Sequence, residues 1–248
     1  MAATQDRHKR SVLQPGSSSW KYRDMQRLFP RPTATVTVAD AYGTTRPAPA
    51  SGRPWLALCM VASIDGSTVL DGESRGLSSD TDREVLLALR RSADLILVGA
   101  GTVRAEGYGV PRKPGQRIGV VSHSGNVDPK LDLFASGAGF LVLPEDAPPT
   151  PIESVRAGTG SLDLELAVRR LPGAPRVIQV EGGPSLNAAL SEADLVDEIN
   201  LTTSPQVVGG AGPRLTKGAR ASSHRFDLIG LYEDDGFLFS RYTRRRDD

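Results

Sequence analysis

The sequence predicts an α/β domain whose mostly parallel central sheet is flanked by helices and ends in an antiparallel hairpin. Three observations carry this. Six short runs are apolar on both faces, as in strands buried between helical layers. Amphipathic segments separate them, with glycine at the junctions. The last two extended segments, Phe226–Tyr232 and Gly236–Tyr242, are joined by only Glu233-Asp234-Asp235, which reads as a hairpin.

Taken in order, residues 1–18 read as a disordered tail and 19–54 as an arm or connector. Gly16-Ser17-Ser18-Ser19 and prolines 30, 32, 47, 49 and 54 interrupt any long element. Within the arm, Trp20–Phe29 and Thr33–Val38 are the pieces able to pack on a core or add an edge strand. The main domain is expected over 55–243. Its strands are Trp55–Ala62, Leu95–Gly99, Ile118–Ser122, Phe140–Leu143, Val177–Val180 and Ile199–Thr202. Thr81–Arg91 is a helix with Val85, Leu86 and Leu89 on one face and Ser79 or Asp80 as cap. Leu162–Arg170 follows Ser161 and stops before Pro172-Gly173. Ser185–Ala193 gathers Leu186, Ala189 and Leu190. Residues 244–248, with Arg244-Arg245-Arg246, read as a charged, solvated tail.

Composition removes several functions. A net charge of +1 makes neither nucleic acid nor anionic lipid a default partner. One cysteine, Cys59, excludes an internal disulfide framework and a cysteine-built zinc site. Aromatic residues, at 5%, are few for base stacking. No apolar run approaches a membrane span, and no hydrophobic stretch follows the basic N-terminus, so a soluble cytoplasmic protein is expected.

Two glycine turns stand out. In residues 93–107, a strand ends at Gly99-Ala100-Gly101 and Thr102-Val103-Arg104 opens a helix. Arg104 occupies the third-glycine position of a GxGxxG fingerprint, so a tight turn without ligand explains this stretch equally well. In residues 176–190, a strand leads to Glu181-Gly182-Gly183 and then Pro184-Ser185-Leu186. Both turns lie at the C-terminal edge of the sheet, where open α/β proteins bind ligands, and together they suit an extended dinucleotide. After the next strand, Val121-Ser122-His123-Ser124 offers no carboxylate, which favours NADPH over NADH. No metal site is expected. Among the acids of 63–83, Asp65 follows a buried strand and is the candidate for the cleft, whereas Asp80 and Asp82 read as capping residues. Arg112, Lys113 and Arg117 either hold an anion or form a solvated loop. Gly183-Pro184-Ser185-Leu186-Asn187 lacks the last glycine of a nucleophile elbow. Ser185, Asp197 and His224 nevertheless fall in hydrolase order, but Ser185 reads as the cap of the following helix and His224 stands in the polar stretch Ala221-Ser222-Ser223, so hydrolysis is a minor alternative.

The ordered set MVASIDGSTVLDGESRGLSS, LALRRSADLILVGAGTVRAEG, RIGVVSHSG, VIQVEGGPSLNAAL, LVDEINLTTSPQVVGG and the terminal hairpin covers residues 53–243. It resembles the reductase half of the riboflavin-biosynthesis deaminase–reductase. The resemblance implies a dihydrofolate-reductase-like three-layer sandwich, usually a homodimer. It implies NADPH-dependent reduction of a ribosylamino-pyrimidine 5′-phosphate, of the 5-amino-6-ribosylaminouracil type, to the ribitylamino product. Gly99, Gly101, Thr102, Glu106 and Ser122 would then lie along the cofactor, with Gly182, Gly183, Pro184, Ser185 and Leu186 at its pyrophosphate. Ser74, Arg90, Arg112 and Glu181 would meet substrate, and Asp65 and Glu181 would polarise or protonate it. The sequence departs from the A-D-D-P element typical of the family, reading Ala105-Glu106-Gly107-Tyr108. That departure motivates one alternative, a same-fold reductase of a pterin or dihydrofolate-like heterocycle; a catalytically silent nucleotide binder that kept the cofactor cleft alone is the third reading.

Overall fold

A computed structural model describes residues 23–49, 51–218, 220 and 222–246; the expected tail at 1–18 lies outside them. One sheet of eleven strands organises these residues, in the order β2-β1-β10-β11-β9-β3-β8-β4-β5-β6-β7. From β9 to β7 all neighbours are parallel, and from β9 to β2 all are antiparallel. The parallel strands are β3 (Trp55–Ser63), β4 (Leu95–Gly99), β5 (Arg117–Val121), β6 (Gly139–Leu143), β7 (Ser154–Arg156), β8 (Val177–Val180) and β9 (Glu198–Ser204). The hairpin is β10 (Phe226–Asp234) and β11 (Phe237–Arg244), turning at Asp235 and Gly236, both with positive φ.

The double-sided apolar runs are explained by two buried clusters. Leu56, Leu58, Leu95, Leu97, Ile178 and Val180 face α5 (Leu164–Arg170) and α6 (Pro184–Glu192). Ile96, Val98, Ile118 and Val120 point the other way, against α3 (Ala100–Glu106) and α4 (Asp132–Ala135). On that second face a further cluster joins Cys59, Tyr232 and Phe239 to Val85, Ala88 and Leu89 of α2 (Asp80–Ser92). Helix–sheet–helix layering follows, with each strand's alternate side chains feeding opposite layers.

The arm supplies β1 (Asp24–Phe29), β2 (Ala34–Thr37) and α1 (Val38–Tyr42). β1 continues the sheet beyond β10, and Met25, Val38, Ala41 and Tyr42 complete the α2 cluster. The three arginines expected in a solvated tail are tied down. Arg244 pairs with Asp194 at 2.9 Å, Arg245 pairs with Asp227, and Arg246 reaches the fully buried Asp197 at 2.7 Å. Asp197 also accepts from both terminal nitrogens of the buried Arg53, so the exposed Arg246 adds a second cation to a buried carboxylate.

Helix caps differ in detail from expectation. Ser79 caps α2 by accepting from the Asp82 amide, as predicted. Asp163, not Ser161, caps α5. Ser185 is not a cap, because α6 begins one residue earlier with Pro184 in its first turn and Gly183 as N-cap.

Candidate active site

The two glycine turns meet at the C-terminal edge of the parallel strands. The Gly99 amide donates to the Gly182 carbonyl at 2.7 Å, and the Glu181 amide donates to Leu97. Side chains cannot enter this junction. A Cβ on Gly183 would stand 2.8 Å from Thr102 Oγ1, and one on Gly182, where φ is +74°, would stand 2.8 Å from Met60 Sδ.

A cleft of about 650 Å³ opens on one side of the junction. Gly99, Gly101, Thr102, Gly183, Pro184, Ser185 and Leu186 line it together with Ser122, His123, Ser124 and Arg104. Gly183 gives α6 no side-chain acceptor, so the helix starts with open amides at the cleft, a setting for an anion. Neither aspartate nor glutamate lines this cleft.

A second cavity, about 350 Å³, lies on the other side and shares Thr102, Gly183 and Pro184 with the first. Ser74, Arg90, Glu106 and Glu181 line it together with Arg75, Arg83, Tyr108 and Asp82. Met60, Val61, Val69 and Leu86 supply apolar wall. At its centre Glu181 is held by four donors. Arg90 Nε and Nη2 approach at 2.7 and 2.6 Å, the Tyr108 hydroxyl at 2.6 Å and Gln179 Nε2 at 3.0 Å. Burial works against the Arg90 charge, but the bond and charge of Glu181 outweigh it and raise Arg90 above its ordinary value. Burial first, then the neighbouring carboxylate, pushes the Tyr108 hydroxyl well up, so it stays a donor. Ser74 and Glu106 are brought together, the Ser74 amide donating to Glu106 at 2.8 Å.

Four expected roles change. Glu106, expected along the cofactor, lines only the second cavity, because its carboxylate turns to the Ser74 amide. Asp65 lines neither cavity. Its carboxylate accepts from the Ser63 hydroxyl and the Val208 and Gly209 amides, which pull its pKa down to about 2. It is a loop clasp, not a proton donor. Glu181 does sit in the cavity, but its four acceptor positions are filled, so it positions Arg90 and Tyr108 rather than moving a proton. Arg112 is exposed outside both cavities. Its neighbours are also diverted: Lys113 caps the α2 carbonyls of Arg91 and Ala93, and Arg117 pairs with Glu153. The cations in the second cavity are instead Arg75, Arg83 and Arg90, of which the sequence singled out only Arg90. The hydrolase alternative also fails, since His224 Nδ1 lies 2.8 Å from Arg244 Nη2 and His224 lines neither cavity, whereas Ser185 lines the first.

Residues 54–236 match the family described as the RibD C-terminal domain. The chain is 29% identical over 196 residues to the 2,5-diamino-6-ribosylamino-4(3H)-pyrimidinone 5′-phosphate reductase of Methanothermobacter thermautotrophicus, covering 72% of this chain and 90% of that one. It is 29% identical over 212 residues to the riboflavin biosynthesis protein RibD of Escherichia coli, but spans only 57% of that protein's length. A solved pyrimidine reductase-like protein of Corynebacterium diphtheriae superposes with a TM-score of 0.70 at 26% identity, over 85% of this chain and 99% of that one. The yeast riboflavin biosynthesis reductase Rib7 shares the fold, with a TM-score of 0.64 at 17% identity. Sheet order, glycine junction and matched span agree: the chain belongs to the RibD C-terminal domain family, the reductases of riboflavin biosynthesis with a dihydrofolate-reductase-like fold.

Proposed function

We propose that the chain is an NADPH-dependent reductase of a ribosylamino-pyrimidine 5′-phosphate. The observation that carries this is the pair of cavities meeting at Thr102, Gly183 and Pro184. The first suits a dinucleotide, with its pyrophosphate at the start of α6. Arg104, Ser122 and His123 in its lining, with no carboxylate beside them, suit a 2′-phosphate and so favour NADPH over NADH. A reduced nicotinamide supplies the hydride when bound. The net change adds one hydride at sugar C1′ and one proton, and breaks the C1′–O4′ bond.

The protein's part is orientation and exclusion of water. Arg90 and Tyr108, fixed by Glu181, define one wall of the second cavity. Arg75 and Arg83 bring positive charge to that cavity and suit the substrate's phosphate, the role expected of Arg112. The test is NADPH oxidation by the purified protein with the phosphorylated pyrimidine and with its dephosphorylated form. Turnover of the first alone supports the reading. Absence of turnover with NADPH still bound returns the weight to another heterocycle or a silent binder.

A homodimer fits the outer side of the antiparallel strands. Tyr232 and Phe239 face α2, so their neighbours Leu231 and Leu238 point away from it, and Leu238 is 39% exposed. Sedimentation of the wild type and of Leu238→Lys checks this. A cytoplasmic setting suits the same reading, and no helix among the described residues is long and apolar enough to cross a membrane.

A further inference from the structure

The helix α2 carries two polar stripes. Asp82, Leu86 and Arg90 recur at every fourth residue and line the second cavity. Asp80, Glu84 and Ser92 keep the same interval but are offset by two positions, about 200° round the axis, and so stand on the rear of the helix.

The arm takes that rear side. The Arg23 amide donates to both carboxylate oxygens of Glu84, at 3.0 and 3.2 Å, and its guanidinium reaches Asp80 at 2.6 Å. At the other end of the helix, Arg46 Nη1 donates to the Ser92 hydroxyl at 3.1 Å. Arg46 is itself fixed, because its Nε and Nη2 donate to the buried Glu198 of β9 at 2.8 and 3.1 Å. Between these ties Val38, Ala41 and Tyr42 of α1 are buried in the cluster that holds Val85, Ala88 and Leu89 of α2. Among the described residues, none of α2 lines the first cavity, whereas Asp82, Arg83, Leu86 and Arg90 line the second. Arg23 and Arg46 line neither, and both lie outside the 54–236 span of the family match.

We propose that the arm is a positioning element of the second cavity alone. By holding the rear of α2 at both ends, Arg23 and Arg46 fix where Arg83, Leu86 and Arg90 on its front stand against the pyrimidine phosphate. This rests on the reductase reading above and adds to it two positioning residues that touch neither ligand. Cofactor and substrate then have separate supports: the start of α6 holds the first, and the arm holds the second through α2. A small rotation or slide of α2 re-aims three side chains at once, which is how a change remote from the chemistry alters the rate.

The test is Glu84→Ala combined with Ser92→Ala. It removes the partner of each tie and leaves the buried apolar side chains and the Arg46–Glu198 pair in place. The remaining Arg23–Asp80 pair is exposed and holds little. NADPH affinity, read by fluorescence titration, should stay at the wild-type value. kcat/KM for the ribosylamino-pyrimidine 5′-phosphate should fall about 10-fold. Returning the hydroxyl, in Glu84→Ala with Ser92→Thr, should recover part of that loss. A folded double variant with wild-type kcat/KM overturns the inference even if its melting temperature falls, because the ties are then merely structural. Equal losses of NADPH affinity and of kcat/KM also overturn it, since the effect is then not confined to the cavity that α2 lines. Both outcomes leave the reductase reading intact. A wild type that binds NADPH but reduces no pyrimidine phosphate overturns that reading, and this inference with it.

Discussion

At the scale of single residues, the contrast between Asp65 and Asp82 shows what a linear pattern can resolve. Both are acids in one polar segment, and placement after a buried strand favours Asp65. Distant amides of Val208 and Gly209 capture that carboxylate, and the turn into α2 buries the other. Each has one partner near in sequence, Ser63 or Ser78, but the others come from β9 and the loop after it, so no spacing rule separates them. Asp65 has a folded pKa of about 2 against an ordinary 3.8, so its stabilisation is present above pH 4 and is lost as pH falls toward 2. Asp65→Asn should therefore flatten the acid limb of stability in that window, read by thermal melts from pH 5 to 2. Tyr108 went unrecognised because it stands in the departure from A-D-D-P, where only the fold brings its hydroxyl to Glu181. The glycines were legible, since a missing side chain is itself the signal. Gly183→Val should weaken NADPH by about 2 kcal/mol, roughly 30-fold, through overpacking against Thr102. Fluorescence titration measures it, and unchanged affinity would remove the junction from the binding site.

At the scale of elements, the buried parallel strands were readable almost residue by residue, because burial on both faces leaves an uninterrupted apolar run. β7 escaped because three half-buried residues, Ser154–Arg156, carry too little pattern. α2, α5 and α6 were readable by their stripes and α2 also by its cap, whereas α1 and α4, of five and four residues, are too short to carry one. Ser79→Ala should cost about 1 kcal/mol by leaving the Asp82 amide without its acceptor. Urea unfolding would register it as a lower midpoint at constant slope. A cost near zero would mean that tertiary packing alone sets the start of α2. The arm's strands were offered only as pieces able to join an edge, since their burial depends on surfaces contributed by β10 and α2.

For the whole molecule, the arm is a part of the core rather than an attachment to it. Met25, Val38 and Tyr42 are buried on Val85, Leu89 and Phe239, and Arg241 is held by Glu198, the Thr44 hydroxyl and the Ala41 carbonyl. A chain beginning at Thr44 loses three large buried side chains, on the order of 5 kcal/mol. It should melt far lower or be recovered insoluble, and an unchanged melting curve would show the arm to be dispensable. The fold class was legible because alternating local signals mark buried strands and helices, whereas the strand order and this closure, which joins segments some 200 residues apart, are set by the fold. The shared wall of Thr102, Gly183 and Pro184 has one more consequence. On the proposed reading, whichever ligand arrives first completes part of the other's enclosure, so the two occupancies should be thermodynamically linked. The factor by which bound NADPH changes the affinity for pyrimidine must equal the factor by which bound pyrimidine changes the affinity for NADPH.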